Sequence, residues 1–142
     1  MNTKKILLGG IAGTVAYFLL NWLVYGILIA DFMAKYSNPS VMRSQEEMMN
    51  YIWAMVISNC ASGFLIAFIL GWSNKMNAME GAKIAGIVGL LFALAVDFAF
   101  YALSTLYLSV IGIVGDVIAW TIMSAIVGAM IGWVMGRGNK KE

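Results

Sequence analysis

Residues 82–107 read AKIAGIVGLLFALAVDFAFYALSTLY, and this stretch decides the fold. After Lys83 it is apolar or small, with Asp97 as its one interruption before Ser104 and Thr105. A helix of this length crosses the roughly 30 Å of bilayer hydrocarbon at about 1.5 Å per residue. Three further windows have the same character: residues 6–30, 51–72 and 114–135. In lipid each backbone polar group must be paired within its own segment, so all four are predicted to be helices. The whole chain agrees, at 62% hydrophobic and 11% charged, against about 25% charged in a soluble domain. The prediction is an all-α membrane protein, a four-transmembrane-helix bundle forming one domain over residues 1–142.

Working outward from Asp97, the third window matches the first at a spacing of 76. Gly86 answers Gly10, Gly89 answers Gly13, Asp97 answers Asn21, Phe98 answers Trp22 and Tyr101 answers Tyr25. At a spacing of 65, Ser124 answers Asn59, Gly128 answers Gly63, Gly132 answers Ala67 and Gly136 answers Gly71. Asn139 and Lys140 then answer Asn74 and Lys75. One duplicated helical hairpin, with halves 1–75 and 76–142 and a longer first outer loop, accounts for both spacings. Each copy contains two spans, so both start from the same side, and their pseudo-twofold axis is expected along the membrane normal.

Lys4, Lys5, Lys75, Lys83, Arg137, Lys140 and Lys141 fall on one side of these spans, and Lys35 and Arg43 on the other. Basic residues favour the cytoplasmic side, so both termini are expected in the cytoplasm of a multi-pass protein of the inner cell membrane. The first apolar run is too long for the core of a cleaved signal peptide, and its match to the third span argues for retention. Ser44 and Glu47 predict a capping box that starts the second helix before the membrane. The tight loop at residues 73–80 predicts that spans 2 and 3 are antiparallel neighbours. Residues 109–115 read as a short apolar loop. Asp116, just after Gly115, reads as the helix N-cap of span 4. Tyr36, Tyr51, Trp53, Trp72, Trp133 and Tyr107 read as interfacial anchors.

Every span carries a stripe of small and polar residues at helical spacing. Span 1 has Gly10, Gly13, Tyr17, Asn21 and Tyr25, and span 2 has Asn59, Gly63, Ala67 and Gly71. Span 3 has Gly86, Gly89, Ala93, Asp97, Tyr101 and Ser104, and span 4 has Ser124, Gly128, Gly132 and Gly136. Lipid offers little hydrophobic drive for helices to associate, so small residues that admit close backbone approach do the packing. The glycines are therefore read as helix contacts, within the chain or between copies. Asn21, Asn59, Asp97 and Ser124 are expected as one layer near the midplane, about 12–15 Å below the outer surface, with Tyr25 and Tyr101 one turn outward. A buried acid costs about 2.5–3.5 kcal/mol on insertion scales, and no Lys, Arg or His lies within the spans to pair with it. It can stay protonated, accept hydrogen bonds from the amides and phenols, or hold a cation. Without Asp97, the layer reads as interhelical glue.

The chain has no histidine and one cysteine, Cys60, which reads as a small buried hydrophobe. Neither a metal site, a cofactor nor a catalytic residue is predicted, and the net charge of +2 gives no basis for nucleic-acid binding. The sequence Trp22-Leu23-Val24-Tyr25-Gly26 closing span 1, a polar outer loop, and Gly81-Ala82-Lys83 opening a third span with a mid-helix polar residue resemble a family of small four-span bacterial membrane proteins, domain of unknown function 1761. The resemblance covers most of the chain and implies the four-span plan, but brings no catalytic residues. Likeness to small multidrug transporters and to dual-topology fluoride channels is superficial. The former place their acid in span 1, where Asn21 stands, and the latter carry a Phe/Thr/Ser-rich motif missing from this third span.

The expected function is that of a non-enzymatic membrane protein acting through helix–helix association, as a homo-oligomer or accessory subunit beside another membrane protein. The alternative is a small transporter or channel using Asp97 for a proton, cation or cationic solute. An intramembrane enzyme ranks third, since one acid without a partner gives no acid–base pair.

Overall fold

A computed structural model describes residues 2–137. Asn139, Lys140 and Lys141, used above for the repeat and the orientation, lie outside the described residues. The described residues form helices α1 (Thr3–Leu23), α2 (Ala30–Tyr36), α3 (Gln45–Asn50), α4 (Ile52–Ser73), α5 (Ala78–Leu103) and α6 (Val110–Gly136). A π-helical turn, Val24–Leu28, extends α1, so four helices are long and apolar enough to span a membrane. The chain is thus an all-helical, multi-pass membrane protein.

Helix ends follow local chemistry. Asn2 caps α1 by accepting from Lys5 N–H, and Asn77 caps α5 by accepting from Glu80 N–H. Asn74 ends α4 in the left-handed conformation at φ 54°, which Asn tolerates better than most residues. Ser44 and Glu47 form the expected capping box, but they start the short α3, and the chain breaks at Tyr51 before α4 begins.

The spans differ from expectation mainly around the fourth. α6 begins at Val110 with Ser109 as its N-cap, so residues 110–115 are helical and Asp116 sits inside α6 rather than capping it. Two glycines explain this: Gly112 lies under Tyr36 and Gly115 under the Phe32 ring, so α2 rests directly on the first turns of α6. α5 correspondingly ends at Leu103, and the connection that follows is drawn across the end of the bundle. Asn38 N–H donates to the Leu106 carbonyl and Leu108 N–H to the Tyr36 carbonyl, both at 2.8 Å. This two-bond strap ties the connection after span 1 to the connection between α5 and α6 and buries Ser37 and Tyr107 beneath it. Of the expected anchors, Tyr107 is buried and Tyr36 half-buried, whereas Tyr51, Trp53, Trp72 and Trp133 are exposed. Cys60 is only half-buried.

α1 packs along α4, α5 along α6, and α1 along α6, so the helices run in the order α4, α1, α6, α5. The tight 74–77 loop does not make α4 and α5 close neighbours, and these two helices barely touch. α5 instead lays its glycine-rich face on α6: a Cβ on Gly81 would strike the Gly128 carbonyl, and one on Gly132 the Asn77 carbonyl. The start of α1, the 74–77 loop and the end of α6 gather at one end of the bundle. Here Ile6, Ile66, Leu70, Ile131 and Met135 form the main core. A smaller cluster of Ala93, Tyr107, Ile113 and Val117 fills the opposite end.

Most of the predicted packing glycines do meet another helix. Gly10 lies against Phe64, Gly13 against Ile131 and the Gly63 backbone, Gly89 against Ser124, and Gly136 against the Met76 carbonyl. Gly86 is roomier, with Ala125 Cβ at 3.4 Å, and Gly71 is half-buried. The two hairpins pair in different registers. Gly13 faces Gly63, whereas Gly89 faces Ser124, and Gly128 faces Gly81 and Ala85.

Candidate functional site

The expected single polar layer is split into three groups. α1 supplies a member to each, because Tyr17, Asn21 and Tyr25 stand one turn apart on one side of span 1. The Tyr17 hydroxyl donates to Ser124 Oγ at 3.1 Å, and its ring stacks on Trp120 with centroids 5.8 Å apart. One turn on, Asn21 Nδ2 donates to Asn59 Oδ1 at 2.6 Å, while Asn59 Nδ2 donates to the Met55 carbonyl at 2.7 Å. Both pairs are hydrogen bonds between neighbouring helices. Replacing Asn21 with Ala should lower stability in detergent by about 0.6 kcal/mol and by no more than about 2, the range for such bonds in membranes. Thermal unfolding of the purified variant checks this, and a larger loss would mean that Asn21 does more than bridge α1 to α4.

The third group holds the charge. The Tyr25 hydroxyl, presented by the π-helical turn, donates to Asp116 Oδ1 at 2.6 Å. π-Turns widen a helix by one residue and frequently occur at functional sites. Tyr107, held by the strap, places its hydroxyl 3.1 Å from Asp97 Oδ1 and 3.1 Å from Asp116 Oδ2. Asp97 is 5% exposed, and among the described residues its Oδ2 receives no hydrogen bond. Burial, with the two acids beside it, pushes the Tyr107 phenol above its ordinary range, so it remains a hydrogen-bond donor at neutral pH.

Two expectations are corrected here. Asp97 meets Asp116 through Tyr107, not Asn21 and Asn59, because α5 packs on α6 while Asn21 is turned toward α4. Tyr101, expected to reach Asp97, is 42% exposed and faces outward. The place over Asp97 that it would occupy is filled by Tyr107. Depth shifts as well: Asp97 lies six residues before the end of α5 and Asp116 six after the start of α6, about 9 Å from the helix ends at 1.5 Å per residue. Sequence reading missed Tyr107 and Asp116. A usable signal was present, since Tyr107 lies 10 residues after Asp97 and 9 before Asp116. In an antiparallel hairpin turning near Tyr107, that places both acids at one level.

Three short contacts join these four side chains, but the two phenols bring only two hydrogens. Tyr25 uses its hydrogen on Asp116. Tyr107 has one hydrogen for two acids: it either forks that hydrogen between them or donates to one and accepts from the other, which then carries a proton. In the second arrangement the group holds two carboxyls, one extra proton and one net negative charge. Asp97 and Asp116 also line a cavity of about 220 Å³, walled by Tyr25, Phe92, Val96 and Trp120. Compared with protein-family models, with curated proteins and with solved structures, the chain matches none.

Proposed function

We propose that this chain is a small transporter whose loading site is the Asp97–Asp116 pair, with a proton as one of its ligands. The carrying observation is the hydrogen-bond inventory: Tyr25, Tyr107, Asp97 and Asp116 make three contacts with two phenolic hydrogens between them. Acids within membrane spans are costly and by default functional, and proton relays are among their commonest uses. Transport is preferred over association because the glycine faces that motivated association are occupied within one copy. A non-enzymatic role is kept, since nothing in the group forms an activated nucleophile.

The topology that goes with this reading has both termini in the cytoplasm, supported by the excess of basic residues at that end. The strap and the acid pair then lie toward the outer face of the inner membrane. A duplicated hairpin origin is supported by the matched positions Gly10 with Gly86, Gly13 with Gly89 and Asn21 with Asp97. The resemblance to domain of unknown function 1761 is consistent with the four-span plan and adds no activity.

Proton flux into vesicles tests the proposal. Purified protein in liposomes containing a pH-sensitive dye should dissipate an imposed proton gradient faster than empty liposomes do, and Asp97→Asn should lower that rate at least about tenfold. Equal rates for wild type and empty liposomes, or for wild type and Asp97→Asn, would overturn it.

A further inference from the structure

The cavity at the acid pair has three properties that together limit its ligand. First, it lies beside a gap between two helices. Its walls come from the end of span 1, from α5 and from α6, and α1 and α5 both rest on α6 while scarcely touching each other. The end of the bundle nearest the acids is shut by the strap and α2, with Tyr107 buried beneath them. A ligand therefore arrives between α1 and α5, from the direction of the lipid.

Second, the walls are aromatic. Tyr25, Phe92 and Trp120 line the cavity, and Phe92 and Trp120 also line the narrow cleft that continues toward Tyr17 and Ser124. Ring faces attract cations, most strongly where water is excluded. Third, one negative charge is left over. Asp97 is more than nine-tenths buried, lines the cavity, and has an oxygen, Oδ2, with no hydrogen bond among the described residues. The groups facing it are Asp116 from α6 and the phenols of Tyr107 and Tyr25. α2 brings Phe32, Met33 and Tyr36 against α6, with its Asp31 and Lys35 exposed, and α4 turns Asn59 to Asn21. No cation among these side chains neutralises the pair.

We infer that the cavity takes a small lipophilic monovalent cation, such as a quaternary or protonated amine, which reaches it from the membrane and competes there with a second proton. The inference rests on the proposed transport role and adds the cargo to it. A monovalent charge suits a pair that already holds one proton, aromatic walls suit an organic cation more than a hydrated metal ion, and a lateral gap suits a lipophilic one. A cation and a second proton each neutralise the same remaining charge, so occupancy by one excludes the other. Exchange of the two leaves the charge of the site unchanged.

Equilibrium dialysis of the full-length protein in detergent against radiolabelled tetrapropylammonium tests this. That probe has no proton to donate, so it can bind only by charge and ring contact. Binding is expected at about pH 8 and should weaken progressively on acidification, as a second proton takes the remaining charge. Trp120→Ala should weaken it about three- to thirtyfold, the range for a desolvated cation–π contact. Trp72→Ala, on an exposed tryptophan at the other end, should leave it unchanged, and asparagine at both Asp97 and Asp116, which leaves the site no charge, should abolish it. Absence of binding at about pH 8, or binding indifferent to asparagine at both Asp97 and Asp116, would overturn the inference. If liposomes still show Asp97-dependent proton flux, the transport reading survives and the cargo assignment alone falls. If they do not, both fall.

Discussion

Leucine at Gly128 should leave almost no folded protein, whereas alanine at Gly86, eleven residues from the Asp97 carboxyl along α5, should be harmless. The two glycines lie on facing helices but in different surroundings. A Cβ on Gly128 would run into Ala85 Cβ and the Gly81 carbonyl, and a Cβ on Gly81 into the Gly128 carbonyl. Apart from the Ala85 methyl, which has no rotamers, these are backbone atoms of a neighbouring helix, and no rotamer change moves any of them aside. The same backbone-on-backbone approach continues at Gly132 with the Asn77 carbonyl and at Gly136 with the Met76 carbonyl. Overpacking in a core costs about 1–3 kcal/mol and occasionally more. Here four carbons are added where even one does not fit, and lipid supplies no hydrophobic drive to hold the separated helices together. At Gly86 the nearest atom to an added Cβ is Ala125 Cβ at 3.4 Å, and alanine is the better helix former by about 1 kcal/mol. Gel filtration and thermal unfolding in detergent check both. Gly128→Leu should be missing from the monodisperse peak, and Gly86→Ala should melt at or above the wild-type temperature. A stable Gly128→Leu would mean that the α5–α6 contact is not what holds the bundle.

That contrast also marks what was legible in the sequence. Four helices, their polarity and their glycine faces follow from composition and spacing, because a lipid environment leaves helices few alternatives. Which glycine meets which helix does not follow. Gly86 and Gly81 are five residues apart, about 140° around α5, and only the rotation and register of α5 against α6 make the second the tight contact. Register also decided the site. Matching Asp97 with Asn21 by repeat position pointed across the bundle to α1 and α4, but α5 pairs with α6 and brings Asp97 to Asp116. The strap was beyond reach for a different reason: it is two backbone hydrogen bonds between loops far apart in the chain, and these carry no side-chain signature. Without the strap, Tyr107 reads as one more aromatic at an interface. With it, Tyr107 becomes the link between two acids.

Asparagine at both Asp97 and Asp116 should give a protein that folds as well as wild type and transports nothing. Each amide replaces one carboxyl oxygen with an NH2 group, so the missing proton of the native cluster is built in permanently. Tyr25 can still donate to the side-chain oxygen of residue 116. The amide there donates to the Tyr107 oxygen, and Tyr107 donates to the side-chain oxygen of residue 97. All three contacts survive and no charge has to be buried, which offsets the amide nitrogen left at the unpartnered Oδ2 position of residue 97, so the melting temperature should stay close to that of wild type. Leucine at Asp116 is the contrasting variant. It leaves the Tyr25 hydroxyl without its acceptor and breaks one side of the Tyr107 bridge, at about 1–3 kcal/mol for each polar group left unpaired in a buried place. If the acids serve only to hold helices together, the double asparagine variant should keep whatever flux the wild type shows, because it keeps the hydrogen bonds. If they serve as the loading site, flux should fall to the level of empty liposomes with the fold intact, because a group that cannot exchange a proton cannot carry one. Stability and flux measured on the same preparation therefore separate the two roles, which no single-residue truncation at this site can do.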